Sequence, residues 1–167
     1  MMPEIIAHRG ASYLAPENTL TAFRKAMEIG ADGVEMDVQQ TGDKKLVIHH
    51  DFLIDWHTDM RGQIYDMTME ELKALDFGSW KDVSYKDERI ATLQEVLALC
   101  REMEGTVVQL ELKATIDNDP DFVPRVIEEI RAADITDRLV VISFNHDLLR
   151  QAKQLMPELK VGVLVYG

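Results

Sequence analysis

Three acidic residues stand at positions where they could bind a hard cation. Glu35 and Asp37 are two residues apart in an apolar segment, so in a strand their side chains lie on one face. Glu111 has a similar place in a later apolar segment. Carboxylates buried without partners cost several kcal/mol each, so these three need a cation or basic neighbours. Three carboxylates favour Mg²⁺ or Ca²⁺, and the alternative is a salt-bridge network with Arg9 and Lys113.

Two histidines at the ends of apolar segments could supply acid and base catalysis. His8 and His50 each follow a short apolar run. An imidazole titrates at about pH 6.5, so such a pair can accept and donate protons in phosphoryl transfer. The histidines could instead bind zinc, but three carboxylates and no nearby cysteine favour a harder ion. His49 and His50 are consecutive, so in a strand their side chains point to opposite faces and only one of the two can face the site.

Six apolar segments predict the strands that position these side chains. They are Ile5–His8, Gly33–Val38, Leu46–Asp51, Thr106–Lys113, Leu139–Phe144 and Val161–Val165. Most of them alternate with helical patterns, which indicates a parallel sheet covered on both faces. The charged residues lie at the carboxyl ends of four strands, and this favours a TIM-type (β/α) barrel over a doubly wound sheet.

We expect a single barrel domain over residues 1–167, with a helical insertion after the third strand at residues 52–105. A closed TIM barrel has eight strands, so the first six are predicted to be present and the last two to be missing. The first and sixth strands would then expose unpaired backbone groups. We therefore expect a homo-oligomer that covers these open edges.

Amino-acid composition and net charge exclude some classes of partner and indicate a cellular location. The 167 residues include 30 acidic and 18 basic ones, giving a net charge of −12. This negative charge excludes sequence-independent binding to nucleic acid and disfavours adsorption to anionic membranes. No apolar run approaches the about 20 residues of a membrane helix. The single cysteine, Cys100, is interpreted as a buried core residue. Because one cysteine cannot form an intrachain disulfide and the sequence has no signal-peptide pattern, we expect a cytoplasmic protein. His57 and His146 are interpreted as ordinary structural residues.

Five short motifs, in this order, resemble the glycerophosphodiester phosphodiesterase family over essentially the whole chain. They are His8-Arg9-Gly10, Pro16-Glu17-Asn18-Thr19, Glu35-x-Asp37, His50-Asp51 and Glu111-x-Lys113. The resemblance implies a TIM barrel with an insertion after the third strand. By position it also implies an acid–base pair (His8, His50), ligands for Ca²⁺ or Mg²⁺ (Glu35, Asp37, Glu111) and phosphate-binding residues (Arg9, Lys113).

The chain departs from the family pattern at Trp56, where the family usually has an arginine, and this affects contacts with the substrate head group. The expected function is a metal-dependent phosphodiesterase that hydrolyses glycerophosphodiesters to an alcohol and glycerol 3-phosphate. The nucleophile is either water or the substrate's own hydroxyl group. The alternatives are a phosphodiesterase or lyase acting on lysophospholipids, and an inactive, truncated remnant that binds metal or phosphate.

Overall fold

The computed structural model describes residues 3–113 and 119–166, and within them the chain forms seven strands and five α-helices. The strands are β1 (Ile6–His8), β2 (Gly33–Gln40), β3 (Leu46–Ile48), β4 (Ala91–Thr92), β5 (Val107–Leu112), β6 (Leu139–Ser143) and β7 (Lys160–Val163). The helices are α1 (Leu20–Glu28), α2 (Met69–Lys73), α3 (Leu93–Glu102), α4 (Phe122–Ala133) and α5 (His146–Leu155). None of the described helices has the length and apolar character needed to span a membrane.

Five of the strands form a parallel sheet in the order β1, β2, β5, β6, β7. The first half of β2 pairs with β1, and its last residues, Val38–Gln40, pair with β3 along the same edge. Among the described residues β1 and β7 do not pair, so the sheet is not closed. The α/β architecture agrees with the predicted parallel strands and covering helices.

The prediction that residues 46–51 form a parallel barrel strand is wrong. β3 runs antiparallel to β2, and β4 runs antiparallel to β3. The connection between β2 and β3 is a short turn closed by the backbone N–H of Thr41, which donates to the carbonyl of Lys45 at 2.9 Å. A parallel connection needs a crossover of a dozen or more residues, so this turn can join only antiparallel neighbours. The described sheet therefore has five parallel strands rather than six.

The predicted insertion at residues 52–105 is a separate unit only in its first part. A small apolar core is formed by Val47 of β3 together with five residues of this part, Ile54, Ile64, Leu72, Phe77 and Ile90. The helix α3, by contrast, buries its apolar face in the main core with α1 and α4. It therefore covers the parallel sheet, as a barrel helix does. A capping box begins each of the helices α2 and α3.

The main core lies between the parallel strands and the helices that cover them. Val34, Met36 and Val38 of β2 are fully buried in it. Because side chains alternate along a strand, Glu35 and Asp37 point to the opposite face. Cys100 of α3 is also in this core, and burial raises the pKa of its thiol to about 12, which agrees with its interpretation as an inert core residue.

Arg138 fixes the connection that leads into β5. Its guanidinium donates hydrogen bonds to the carbonyl oxygens of Cys100 (2.8 Å), Met103 (3.0 Å) and Thr106 (2.9 Å). The carbonyls at the end of a helix have no partners within the helix, and a positive charge is favourable there. Arg138 thus stabilises both the end of α3 and the start of the strand that carries Glu111.

We expect Arg138→Ala to lower the free energy of unfolding by about 2 kcal/mol, because hydrogen bonds from a charged donor contribute about 1.5–3 kcal/mol. Urea denaturation of the two proteins measures this difference. Arg24→Ala, at an exposed position of α1, is the matched control and should change stability by less than about 0.5 kcal/mol. Equal effects of the two substitutions would contradict the anchoring role of Arg138.

Candidate active site

Three carboxylates from two neighbouring strands meet at one place. Asp37 of β2 is in register with Glu111 of β5, and Glu35 precedes Asp37 on the same face. One oxygen atom from each side chain lies within 4.8 Å of the other two. All three residues are buried, with exposed fractions of 6%, 0% and 8% for Glu35, Asp37 and Glu111. A buried group of oxygen ligands suits a hard divalent cation.

These buried carboxylates are costly to ionise together when no cation is bound. Burial, followed by the charge of Asp37, raises the pKa of Glu35 to about 8. Burial also raises the pKa of Glu111, although Lys113 opposes the shift. Asp37 Oδ1 is buried and accepts no hydrogen bond within the described residues. The donor set and this unpartnered oxygen fit a bound cation.

Two basic side chains touch the cluster, as the salt-bridge alternative requires. Lys113 Nζ lies 3.1 Å from Glu111 Oε1 and 3.9 Å from Asp37 Oδ1. Arg9 Nε lies 3.7 Å from Asp37 Oδ2. However, Arg9 Nη1 also lies 3.0 Å from Glu17 Oε1, so its charge is shared with a fourth carboxylate. The two basic groups therefore do not neutralise the acidic ones.

The loop after β1 holds the carboxylates in place. The backbone N–H of Arg9 donates to Glu35 Oε2 at 3.1 Å. Asn18 Nδ2 donates to Asp37 Oδ2 at 2.9 Å, and Asn18 Oδ1 accepts from the backbone N–H of Asp37 at 3.3 Å. Thr19 then caps α1 by accepting from the N–H of Ala22. The Pro16–Thr19 motif thus orients the acidic cluster and starts the helix that follows.

His8 lies at the rim of the cluster. Its Nε2 is 3.7 Å from Glu35 Oε2, and 69% of its side chain is exposed. Burial, followed by the charge of Arg9, lowers the pKa of the His8 imidazole. The ring is thus accessible to a ligand above the carboxylates.

The neighbouring histidines have opposite environments. His50 is half-buried, and its Nδ1 lies 2.7 Å from Asp51 Oδ1. His49 is 3% exposed, and burial lowers the pKa of its imidazole to about 3. The structure thus places His49 in the interior and leaves the ring of His50 accessible. The strand itself ends at Ile48, so both histidines lie just after β3 rather than in it.

Sequence analysis missed several residues that support these side chains. Gln39 Nε2 donates to the carbonyl oxygens of His49 (2.7 Å) and Asp51 (2.8 Å) and so fixes the chain on both sides of His50. Its position, two residues after Asp37 on the same face of β2, was the available signal. His57 is buried 3.6 Å from Glu17. His146 contacts the carbonyl of Leu164 and lines the cleft beside Glu111 and Lys113.

A cleft of about 620 Å³ opens beside Glu111 and Lys113. Its other walls come from Phe52, the segment 143–147, Arg150 and Tyr166. This volume is typical of sites for small molecules. The carboxylates, the two basic side chains and His8 thus lie toward the carboxyl ends of parallel strands, where α/β barrel enzymes place their active sites. His50 reaches the same edge of the sheet from the end of the antiparallel strand β3.

A parallel α/β sheet with buried carboxylates and accessible imidazoles at one edge is the arrangement of α/β barrel enzymes. The model of the glycerophosphoryl diester phosphodiesterase family matches residues 8–167, and the chain belongs to this family. The resemblance found in the motifs is thereby confirmed, as is an α/β fold like that of the family's solved structures.

Named relatives and solved structures agree with the family. The chain is 42% identical over 160 residues to a glycerophosphodiester phosphodiesterase of Caldanaerobacter subterraneus subsp. tengcongensis, covering 96% of this chain and 65% of that protein. It is 39% identical to one from Bacillus altitudinis, covering 98% and 66%. An Oleispira antarctica phosphodiesterase, solved with the product sn-glycerol-3-phosphate, superimposes with a TM-score of 0.93 at 38% identity, covering 99% and 67%. The chain spans about two thirds of the length of these proteins.

Without a bound cation, the raised pKa of Glu35 makes stability depend on pH. The carboxyl titrates near 4.5 when unperturbed and near 8 in the fold, so unfolding releases a proton between these values. The contribution of Glu35 is complete below about pH 4.5 and is lost as the pH rises through about 8. In the presence of chelator, we expect the melting temperature to fall from about pH 5 to about pH 8.

Glu35→Gln, which stays neutral, should remove much of that fall, whereas Glu28→Gln on the exposed surface of α1 should keep the wild-type dependence. Thermal melts across this pH range make the comparison. The same slope in wild type and Glu35→Gln would show that Glu35 is not the group responsible.

Proposed function

We propose that this chain hydrolyses glycerophosphodiesters to an alcohol and glycerol 3-phosphate and depends on Mg²⁺ or Ca²⁺. The observation that carries the proposal is the buried cluster of Glu35, Asp37 and Glu111 with basic and imidazole side chains around it. The family membership and the product-bound phosphodiesterase of Oleispira antarctica support the substrate class.

The three carboxylates are the proposed ligands of the cation. When bound, a divalent cation supplies positive charge that stabilises the negative charge developing on the phosphoryl oxygens. Two of these ligands are already held in position, because Asn18 and the backbone N–H of Arg9 donate hydrogen bonds to Asp37 and Glu35.

Arg9 and Lys113 are the proposed phosphate-binding residues. Each lies beside the acidic cluster, and each is held by a carboxylate: Arg9 by Glu17 and Lys113 by Glu111. Side chains fixed in this way need little rearrangement when a phosphodiester binds, and such preorganised charge is an efficient source of transition-state stabilisation.

His8 and His50 are the proposed acid and base. One accepts the proton of the nucleophile, and the other donates a proton to the leaving alkoxide. Asp51 contacts His50 through Nδ1, which leaves Nε2 available for the substrate. His8 presents an exposed ring at the edge of the carboxylate cluster.

Lysophospholipids are a second candidate substrate class. Tyr13 and Leu14, in the loop that follows Arg9, are exposed, and so is Trp56, six residues after His50. Exposed apolar side chains on the loops that follow Arg9 and His50 favour a substrate with an acyl chain. A comparison of glycerophosphocholine with lysophosphatidylcholine distinguishes the two classes.

Three expectations stay predictions. A homo-oligomer would pair the outer edge of β7, where Val163 is exposed, or the free edge of β1 with another copy. The cytoplasmic location and the two missing barrel strands are likewise expected from the sequence alone.

Hydrolysis of glycerophosphocholine with and without chelator tests the function. We expect release of choline and glycerol 3-phosphate, loss of activity in EDTA and recovery with Mg²⁺ or Ca²⁺. Glu35→Gln should lower kcat/KM by about 100-fold or more, as expected when metal-assisted charge stabilisation of several kcal/mol is lost. Glu28→Gln on the exposed surface of α1 serves as the control. Turnover that neither chelator nor Glu35→Gln reduces would contradict the proposal.

The neighbouring histidines provide a matched pair for the acid–base assignment. His50→Ala should reduce kcat by about 100-fold or more, the usual effect of removing a general acid or base. His49→Ala should lower the melting temperature, because His49 packs against Phe77, while kcat changes only severalfold. If His49→Ala were the more damaging substitution in kcat, with both proteins folded, the assignment of His50 would be wrong.

A further inference from the structure

His57 lies between two carboxylates that each hold a side chain of the proposed active site. Its Nε2 is 3.6 Å from Glu17 Oε1, and its Nδ1 is 3.8 Å from Asp51 Oδ2. Glu17 contacts Arg9 at 3.0 Å, and Asp51 contacts His50 at 2.7 Å. The contacts thus form one continuous series from Arg9 to His50.

We propose that His57 is a positioning residue that couples the phosphate-binding Arg9 to the acid–base residue His50. This inference rests on the proposed function for the roles of those two side chains. Arg9 follows β1 and His50 follows β3, and these two strands lie along one edge of β2 without pairing to each other. A rigid group between their loops sets the distance from the phosphate to the proton-transferring ring.

The surroundings of His57 make it rigid. The residue is 7% exposed, and its ring packs edge-on against His49 and Trp80, each at 4.7 Å between ring centroids. Its backbone N–H donates to the carbonyl of Ile54, a fully buried residue of the small apolar core. The small core thus fixes the imidazole ring between the two carboxylates.

The polar environment of His57 points to function rather than to packing alone. Nδ1 is buried and makes no hydrogen bond within the described residues, although it faces a carboxylate. An apolar ring would fill the same space without leaving a buried polar atom unpaired. The contact with His57 is also the main reason that the pKa of Glu17 falls to about 2, so His57 stabilises the ionised carboxylate that holds Arg9.

Steady-state kinetics of three variants separate positioning from packing. His57→Phe keeps an aromatic ring but cannot contact the carboxylates, and we expect kcat/KM to fall about 10- to 100-fold, the range for a small misplacement of catalytic groups. His57→Gln retains one hydrogen-bonding group and should recover part of the loss. Val126→Ala removes packing in the main core, away from His57, and should lower the melting temperature with little change in kcat/KM. Wild-type kcat/KM in His57→Phe would overturn the proposal.

A second measurement, without substrate, keeps the test separate from the function. The side-chain ¹H–¹⁵N signals of His50 should shift when Glu17→Gln is introduced into the wild type, because His57 transmits the change. In the His57→Phe background the same substitution should leave them unchanged, which is the logic of a double-mutant cycle. If the wild type hydrolyses no glycerophosphodiester but the shift is observed, the proposed function fails and the coupling stands. If Glu17→Gln leaves the His50 signals unchanged in the wild type, the coupling is overturned whatever the activity.

Discussion

The burial of three carboxylates on two central strands is the constraint on which the site depends. Glu35 and Asp37 are almost inaccessible to solvent, so every charge there needs a partner from the protein or a ligand. The chain provides Asn18, the backbone N–H of Arg9 and the ammonium group of Lys113. These partners come from loops at the carboxyl edge of the sheet, and their arrangement follows from what the carboxylates require.

This requirement explains the unusual backbone of the loop after β1. Arg9 and Asn18 both have positive φ angles, near 59° and 58°. Asparagine adopts this conformation readily, but an arginine there carries a local cost. The conformation directs the N–H of Arg9 to Glu35 and the amide of Asn18 to Asp37. Local strain at a functional loop is thus offset by hydrogen bonds to buried charge, which are among the stronger ones in proteins.

Sequence patterns predicted the parts of this structure that depend on local rules. Alternation placed Glu35 and Asp37 on one face, and apolar runs predicted the parallel strands. The direction of β3 was missed because its apolar run looks the same in either direction. The turn at 41–45 was the available signal, since it is too short to connect parallel strands. The place of His57 was missed for a different reason. Its contact with Glu17 joins residues forty positions apart, and no local pattern encodes such a contact.

The small apolar core after β3 has a function that its size does not suggest. It lies outside the parallel sheet, yet it fixes the segment in which Asp51 and His57 reach the loops after β1 and β3. The acidic cluster, by contrast, depends on the rigid central strands β2 and β5. The acidic cluster and the proposed acid–base residue His50 are thus supported by two separately packed units, and in the coupling that we propose His57 keeps the two units in register. Because a catalytic group misplaced by about 1 Å can lose about two orders of magnitude in rate, packing far from the carboxylates bears directly on the chemistry proposed at them.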